Sequence, residues 1–392
     1  MSVVYPALKV CYNPSIRTPL SASIRPHANF PSPALDAQDL VFASGFATLR
    51  RAIADRVFPG ASVAITHAGK LVALKTLGHF TYDESSPQVT VDSVFDLASV
   101  TKVVATTSMA MILYERGLLD LDAPLVGVLP EFAGEDQLRR EVTFRMLLAH
   151  SSGLPGHEKL YLRARKREEL IGDALRVPLK SSPGTRAEYS DIGFIALGLA
   201  LERMADESLD AFCQREVFGA LGMLQTTFNP PSTWKSRIPP TANDQTFRKR
   251  IIEGEVYDEN ASVMGGVAPH AGLFSTASDV ATFAHAMLNG GAPIARPETL
   301  SLFKRRETSP PGTSRALGWD TPSSPSQSGK YFSPSSFGHL GYTGTSLWID
   351  PERQLSVTLL TNRTWPDCSN QAIKEVRPRF HDAVVEALGV AQ

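Results

Sequence analysis

Cysteine is scarce: Cys11, Cys213 and Cys368 are the only three in 392 residues. So few, so scattered, cannot build a disulfide framework or the paired spacing of a zinc site, and the usage leans toward a reducing compartment. An excess of charge is missing too. The 39 Lys and Arg balance 40 Asp and Glu to a formal net charge of -1, which leaves no overall field to gather nucleic acid or an anionic membrane. No run of about 18 apolar residues suggests a transmembrane helix. Pro6, Asn13, Pro14 and Arg17 interrupt the apolar residues a secretory signal would need, so the expectation is a cytoplasmic protein, with export left open because a trimmed leader would leave no trace. Several catalytic signatures are absent as well. There is no Gly-x-Ser-x-Gly elbow, no His-Glu-x-x-His, no Walker loop and no Gly-x-Gly, so neither a metal nor a cofactor is expected. The expected partner is a small-molecule ester, amide or peptide substrate.

With 43% hydrophobic and 20% charged residues, the chain can bury a large core. Residues 1–35 carry Pro6, Pro14, Pro19, Pro26, Pro31 and Pro33, which forbid a long helix and predict an extended N-terminal arm. Leu40, Phe42, Phe46, Leu49 and Ile53 have the spacing of an amphipathic helix over 37–55. Residues 61–67 and 71–77 read as a hairpin around Ala68-Gly69-Lys70. Residues 100–114 predict a buried helix with Ser99 at its start. From 117 to 270 helices dominate, and strands return at 344–349 and 355–361, followed by a closing helix over 372–388. The fold class this implies is α/β (α+β): an antiparallel sheet flanked by helices, built from 36–98 and 271–392, with a mostly helical domain over 99–270 inserted and the site at the interface.

Ser99-Val100-Thr101-Lys102 puts a hydroxyl and an amine on one helical face, in the first turn, where the helix dipole favours an oxyanion. Ser-x-x-Lys is weak by itself, since it recurs at Ser232–Lys235 and Ser301–Lys304. Prolines crowd the first repeat and the second lies in a short polar helix, so only Ser99 opens a buried one. Further on, Tyr189-Ser190-Asp191 opens a second apolar helix, and Gly338-His339-Leu340-Gly341-Tyr342-Thr343-Gly344-Thr345 is glycine-rich beside strand-like sequence.

In that order, Ser99-x-x-Lys102, Tyr189-x-Asp191 and His339-x-Gly341 resemble the three motifs of penicillin-binding proteins and β-lactamases, the class C branch above all, with its D-amino-acid peptidase and carboxylesterase relatives. Phe95–Ala98, Gly117–Asp122 and Leu147–Leu154 are similar to the same group, and the likeness covers residues 37–388. It implies a serine hydrolase in which Ser99 carries the acyl group and Lys102 and Tyr189 share its proton. The backbone N–H groups of Ser99 and Tyr342 would form the oxyanion hole, and Asp191, His339 and Gly341 would meet substrate. A segment from Val256 to Gly272 resembles a bacterial subgroup that includes weak D-alanyl-D-alanine carboxypeptidases.

Two departures bear on substrate. Asp191 stands where asparagine is common, and a carboxylate there should keep Lys102 charged and shift base duty toward Tyr189. His339 stands where many members have lysine; an imidazole titrating near 6.5 supplies less charge at neutral pH and is expected to gain it toward pH 6. Recognition of a substrate carboxylate weakens accordingly, which favours a β-lactamase-fold carboxylesterase over a D-alanyl-D-alanine carboxypeptidase or a β-lactamase. A catalytically silent binding or scaffold protein is the alternative from another class.

Overall fold

A computed structural model describes residues 30–390. Most of the proline-rich arm therefore lies outside the described residues. Where it ends, Ser32–Pro33 run parallel to Lys70–Leu71 at the edge of the main sheet. The hairpin is present as Gly60–His67 and Lys70–Gly78. Its two loop residues, Ala68 and Gly69, both have positive φ, +48° and +80°, the twist that suits a two-residue connection between right-twisted strands.

The sheet has six strands in the order Ser32–Pro33, Lys70–Gly78, Gly60–His67, Leu355–Thr361, Ser346–Asp350, Phe337–Leu340, and every pairing after the first is antiparallel. Alternate side chains point to opposite faces. Val63, Ile65, Val357 and Leu359 face a layer made by the helices Ala43–Ala54 and Ile373–Ala387, where Phe46, Leu49, Phe380 and Val384 meet them. Ala64, Leu347, Ile349 and Leu360 face the other way, into the larger core, where the helix Ala277–Leu288 crosses the sheet. The chain leaves this sheet after Gly78, builds a mostly helical mass, and returns to it at Phe337. That is the antiparallel, helix-flanked architecture expected. No helix among the described residues is long and apolar enough to cross a membrane.

Local differences have tertiary causes. The first helix breaks at Phe42 into Gln38–Val41 and Ala43–Ala54, which turns Phe42 into the core beside Phe46. The helix expected from Val100 opens with a 3-10 turn over Ala98–Val100, widens into π-helix over Lys102–Thr107, and is α-helical only from Ser108 to Glu115. Short strands also occur within 117–270, where helix was expected to dominate: Thr227–Phe228 joins Phe95–Asp96 and Leu273–Ser275 in a small sheet, and Ala242–Asp244 pairs with Arg250–Ile252. Two- and three-residue strands carry no period of their own, because their partners define them.

Candidate active site

The small sheet aims the site. Phe95–Asp96, held against Leu273–Ser275, runs into Ala98, which sits at φ +46°, a conformation that costs a non-glycine residue and marks a constrained turn. The Asp96 carboxylate accepts the Ala98 N–H at 2.8 Å. Ser99 follows, half-buried. Lys102 lies one turn on and is fully buried; its ammonium donates to Ser99 Oγ at 3.1 Å, Asp191 Oδ1 at 2.6 Å and the His270 carbonyl at 3.0 Å. All three N–H bonds are used. The widened π turn at Lys102 is a feature that recurs at functional sites.

Asp191 begins the helix Asp191–Ala205, capped by Ser190, whose hydroxyl accepts the Gly193 N–H at 2.9 Å and donates to the Pro155 carbonyl at 2.6 Å. Tyr189, just before the cap, is wedged between His150 and His339, with ring centroids 4.6 Å and 5.9 Å away. The Lys102 ammonium lies 4.7 Å from its ring centre and the Arg315 guanidinium 5.2 Å. Although Ser99 and Lys102 are its electrostatic neighbours, the Tyr189 hydroxyl makes no well-formed hydrogen bond among the described residues.

Burial by itself would strip the proton from Lys102, but Asp191 and Tyr189 outweigh it and raise the amine above its ordinary value. Burial would likewise raise Asp191; Lys102, with His157 and His270, reverses this and holds the carboxyl well below the usual range. Tyr189 goes the other way, pushed up to about 12 by desolvation despite Lys102. At rest the site is thus an ammonium–carboxylate pair beside a neutral phenol.

The opposite wall is the turn after the edge strand Phe337–Leu340. Thr343 Oγ1 donates to the Asp96 carbonyl at 2.8 Å and Thr345 Oγ1 to the Leu97 carbonyl at 2.9 Å, which brings the Tyr342 backbone beside the Ser99 turn. Arg363 Nε holds the Tyr342 carbonyl at 2.7 Å, and Arg377 holds those of Gly341 and Thr345, each at 2.9 Å. The Tyr342 ring is half exposed, stacked on Tyr257 and capped by Arg363.

Three residues expected at the substrate have other neighbours. Asp191 is the counter-ion of Lys102, as expected of a carboxylate at that position, with His157 Nδ1 3.9 Å from its second oxygen. Gly341 packs where a Cβ would strike the Leu97 carbonyl at 2.5 Å, so the backbone approach its missing side chain permits is to the turn that leads into Ser99. His339 is buried in the edge strand; its Nδ1 donates to the Leu340 carbonyl at 2.8 Å, and Nε2 has no partner among the described residues. Desolvation, with Lys102 and Arg315 nearby, lowers His339 to about 3. The expectation that it charges near pH 6 is therefore wrong: a cation there would lose its hydration in a site that already holds two.

The β-lactamase family model matches residues 46–376 of this chain. The chain belongs to the β-lactamase family. Over 345 residues it is 31% identical to an N-acetylmuramyl-L-alanine amidase of Bacillus subtilis strain 168, covering 78% of this chain and 77% of that one. It is 29% identical to a putative D-alanyl-D-alanine carboxypeptidase of Escherichia coli K12, over 78% and 79% of the two chains. A class C β-lactamase from Rhodobacter sphaeroides has the same fold, with a TM-score of 0.69 at 23% identity over 88% of this chain and 99% of that one. This member of the β-lactamase family is accordingly a serine hydrolase of the acyl-enzyme kind.

Residues that no catalytic motif names hold this family member's site in place. His150, at φ +56°, accepts the Ser190 N–H at 3.0 Å, and Arg363, Arg377 and Asp96 brace the turns. Asp96 stands within the quoted Phe95–Ala98 stretch, but nothing in its spacing signals two distant partners. His157, Asp191 and Asp258 bring ligand atoms within 4.8 Å of one another. Both carboxylates are engaged, however, Asp191 by Lys102 and Asp258 by His270 and the Ala261 N–H.

Proposed function

We propose that Ser99 is the nucleophile of an acyl hydrolase acting on uncharged short-chain esters and amides. The observation that carries this reading is the Lys102 ammonium, donating at once to Ser99 Oγ and Asp191. The reacting form is the Lys102–Tyr189 pair less one proton, a Tyr189 phenolate beside the ammonium. The phenolate takes the Ser99 proton as Oγ attacks the carbonyl carbon, and the N–H groups of Ser99 and Tyr342 receive the oxyanion. Tyr189 then protonates the leaving oxygen or nitrogen, and water repeats the sequence to release the acid and restore Ser99. Neutral substrates are favoured because neutral His339 offers no charge for a carboxylate.

Cleavage of a D-alanyl peptide is the second reading. It is supported by the His270 carbonyl on Lys102 and the Asp258–His270 contact, which join the Val256–Gly272 segment to the reacting residues. A fluorophosphonate should label Ser99, found by mass spectrometry of the modified peptide, and purified protein should hydrolyse short-chain esters faster than a chromogenic cephalosporin or D-alanyl peptides. Preference for the carboxylate-bearing substrates would replace the esterase reading with the peptidase one. Failure to label Ser99 in folded protein would remove both and leave a binding protein.

A further inference from the structure

Asp96 is almost completely buried at the end of a two-residue strand, and its polar atoms reach three separate segments. Oδ1 accepts the Ala98 N–H at 2.8 Å, Oδ2 accepts the Tyr257 N–H at 2.7 Å, and its carbonyl accepts the Thr343 hydroxyl at 2.8 Å. These belong to the turn that presents Ser99, the segment whose tyrosine stacks on Tyr342, and the turn that carries Tyr342. The Tyr257 segment is gripped from its other side by Arg248, which donates to the Val256 and Tyr257 carbonyls at 2.7 Å each.

We propose that Asp96 is a positioning residue for Ser99, its carboxylate locking the left-handed Ala98 turn to the Tyr257 segment and so fixing the serine oxygen against the Tyr342 turn. The idea rests on Ser99 being the nucleophile.

Ala98 would not hold φ +46° by preference; the 2.8 Å bond to Asp96 closes the turn around it. A carboxylate accepts from both N–H groups. A protonated carboxyl turns one oxygen into a hydroxyl, a weaker acceptor, and an asparagine must present its donor-only NH2 group to one of the two N–H groups, so the first weakens and the second loses one of the two bonds. Burial raises Asp96 to about 6, with Asp258 adding to the rise while the Tyr257 and Ala98 N–H groups and Arg248 oppose it. Asp258 and Arg248 are the charged groups that face it. Because the folded value lies above the unfolded one, ionising Asp96 opposes folding as pH rises through about 6. The charge is therefore not kept for stability, and its two bonds go to the backbone around the nucleophile.

The test is the rate of Ser99 labelling by an uncharged fluorophosphonate, read on the modified peptide between about pH 5.5 and 8, with folding followed by circular dichroism. Asp96→Asn should label about 10–100-fold more slowly at pH 8, as a misplaced nucleophile does. The ratio of wild-type to Asp96→Asn rates cancels the shared base, and it should fall as pH drops through about 6. Adding Ala98→Gly, which adopts positive φ without penalty, should recover part of the loss. Should Asp96→Asn not fold, Ala98→Gly alone serves, since it should lose less of its labelling rate in acid than wild type. Equal rates in folded Asp96→Asn and wild type would overturn the proposal. A slower variant with a pH-independent ratio and no rescue by glycine would overturn it too, by reducing Asp96 to a structural residue. Absence of Ser99 label in the wild type at every pH would instead strike the nucleophile assignment.

Discussion

At Ser99, deleting one oxygen removes the hydroxyl that accepts from Lys102 at 3.1 Å. Ser99→Ala should abolish ester hydrolysis while the melting temperature holds. Ser232→Ala and Ser301→Ala, on exposed positions of a 3-10 turn and a short helix, should leave kcat/KM unchanged; trapped acyl on either would refute the assignment. Asp191→Asn removes the charge that keeps Lys102 protonated, so the amine titrates lower and the acidic limb of kcat/KM should move to lower pH. The same change leaves a buried ammonium unpaired, at about 3–5 kcal/mol where it stays charged and less once it is neutral. For stability the sign is that of a depressed carboxyl. The Asp191 contribution is present above its unfolded pKa near 4 and is lost as pH falls toward the lower folded value. His339, at about 3, stays neutral between pH 7.5 and 6. The ratio of kcat/KM for a neutral ester to that for a D-alanyl peptide should therefore stay flat across that interval, and a ratio that narrows would show a charged imidazole.

Among the elements, the helix Asp191–Ala205 reaches the site through its partner as well as through its first residue. Gly198 lies on the face that meets Pro269, and a Cβ there would stand 1.9 Å from the proline Cγ. The Pro269 and His270 carbonyls accept from Thr106 Oγ1 at 2.7 Å and Lys102 Nζ at 3.0 Å. Gly198→Ala should thus cost about 1–3 kcal/mol from overpacking and also slow acylation, by pushing the His270 carbonyl off Lys102. Thermal melts and the labelling rate measure the two effects separately. Unchanged labelling in a destabilised variant would show that the strain relaxes away from Lys102. The glycine, embedded in an apolar helical run, reads in sequence only as a weak helix former. Its reason is the proline of a segment 71 positions later.

For the whole molecule, histidines the fold buries neutral work against stability in acid. His339 and His381 are each lowered to about 3 by desolvation, whereas the unfolded chain binds their protons near 6.5. On this account unfolded protein holds more protons between those values, so the histidine contribution is full above about 6.5 and falls with pH through this window, on the order of 3 kcal/mol per histidine by pH 4. The melting temperature should drop steeply below pH 6. His381→Gln should flatten that drop, whatever it costs at neutral pH, since it removes a group the unfolded state protonates. An equal slope in both proteins would locate the acid sensitivity elsewhere.

Sequence alone determined the class of chemistry and singled out the residues proposed to carry it. Ser99 and Lys102 share a helical face, Tyr189 precedes a capped helix, and short β-rich runs at 61–67 and 355–361 specify strands. Those are local patterns with a period or a fixed offset, and each is legible because its physical cause lies within a few residues. Tertiary structure decided what depends on partners far along the chain. It set the geometry of the Asp191–Lys102 pair, 2.6 Å apart across 89 positions, and buried His339 so deeply that its imidazole is neutral at neutral pH. It also set Gly341 against the Leu97 carbonyl and tied Asp96 to Tyr257 and Thr343. Charge state and orientation follow from desolvation and from which donors a fold brings within 3 Å, and neither quantity is written in the spacing of a motif.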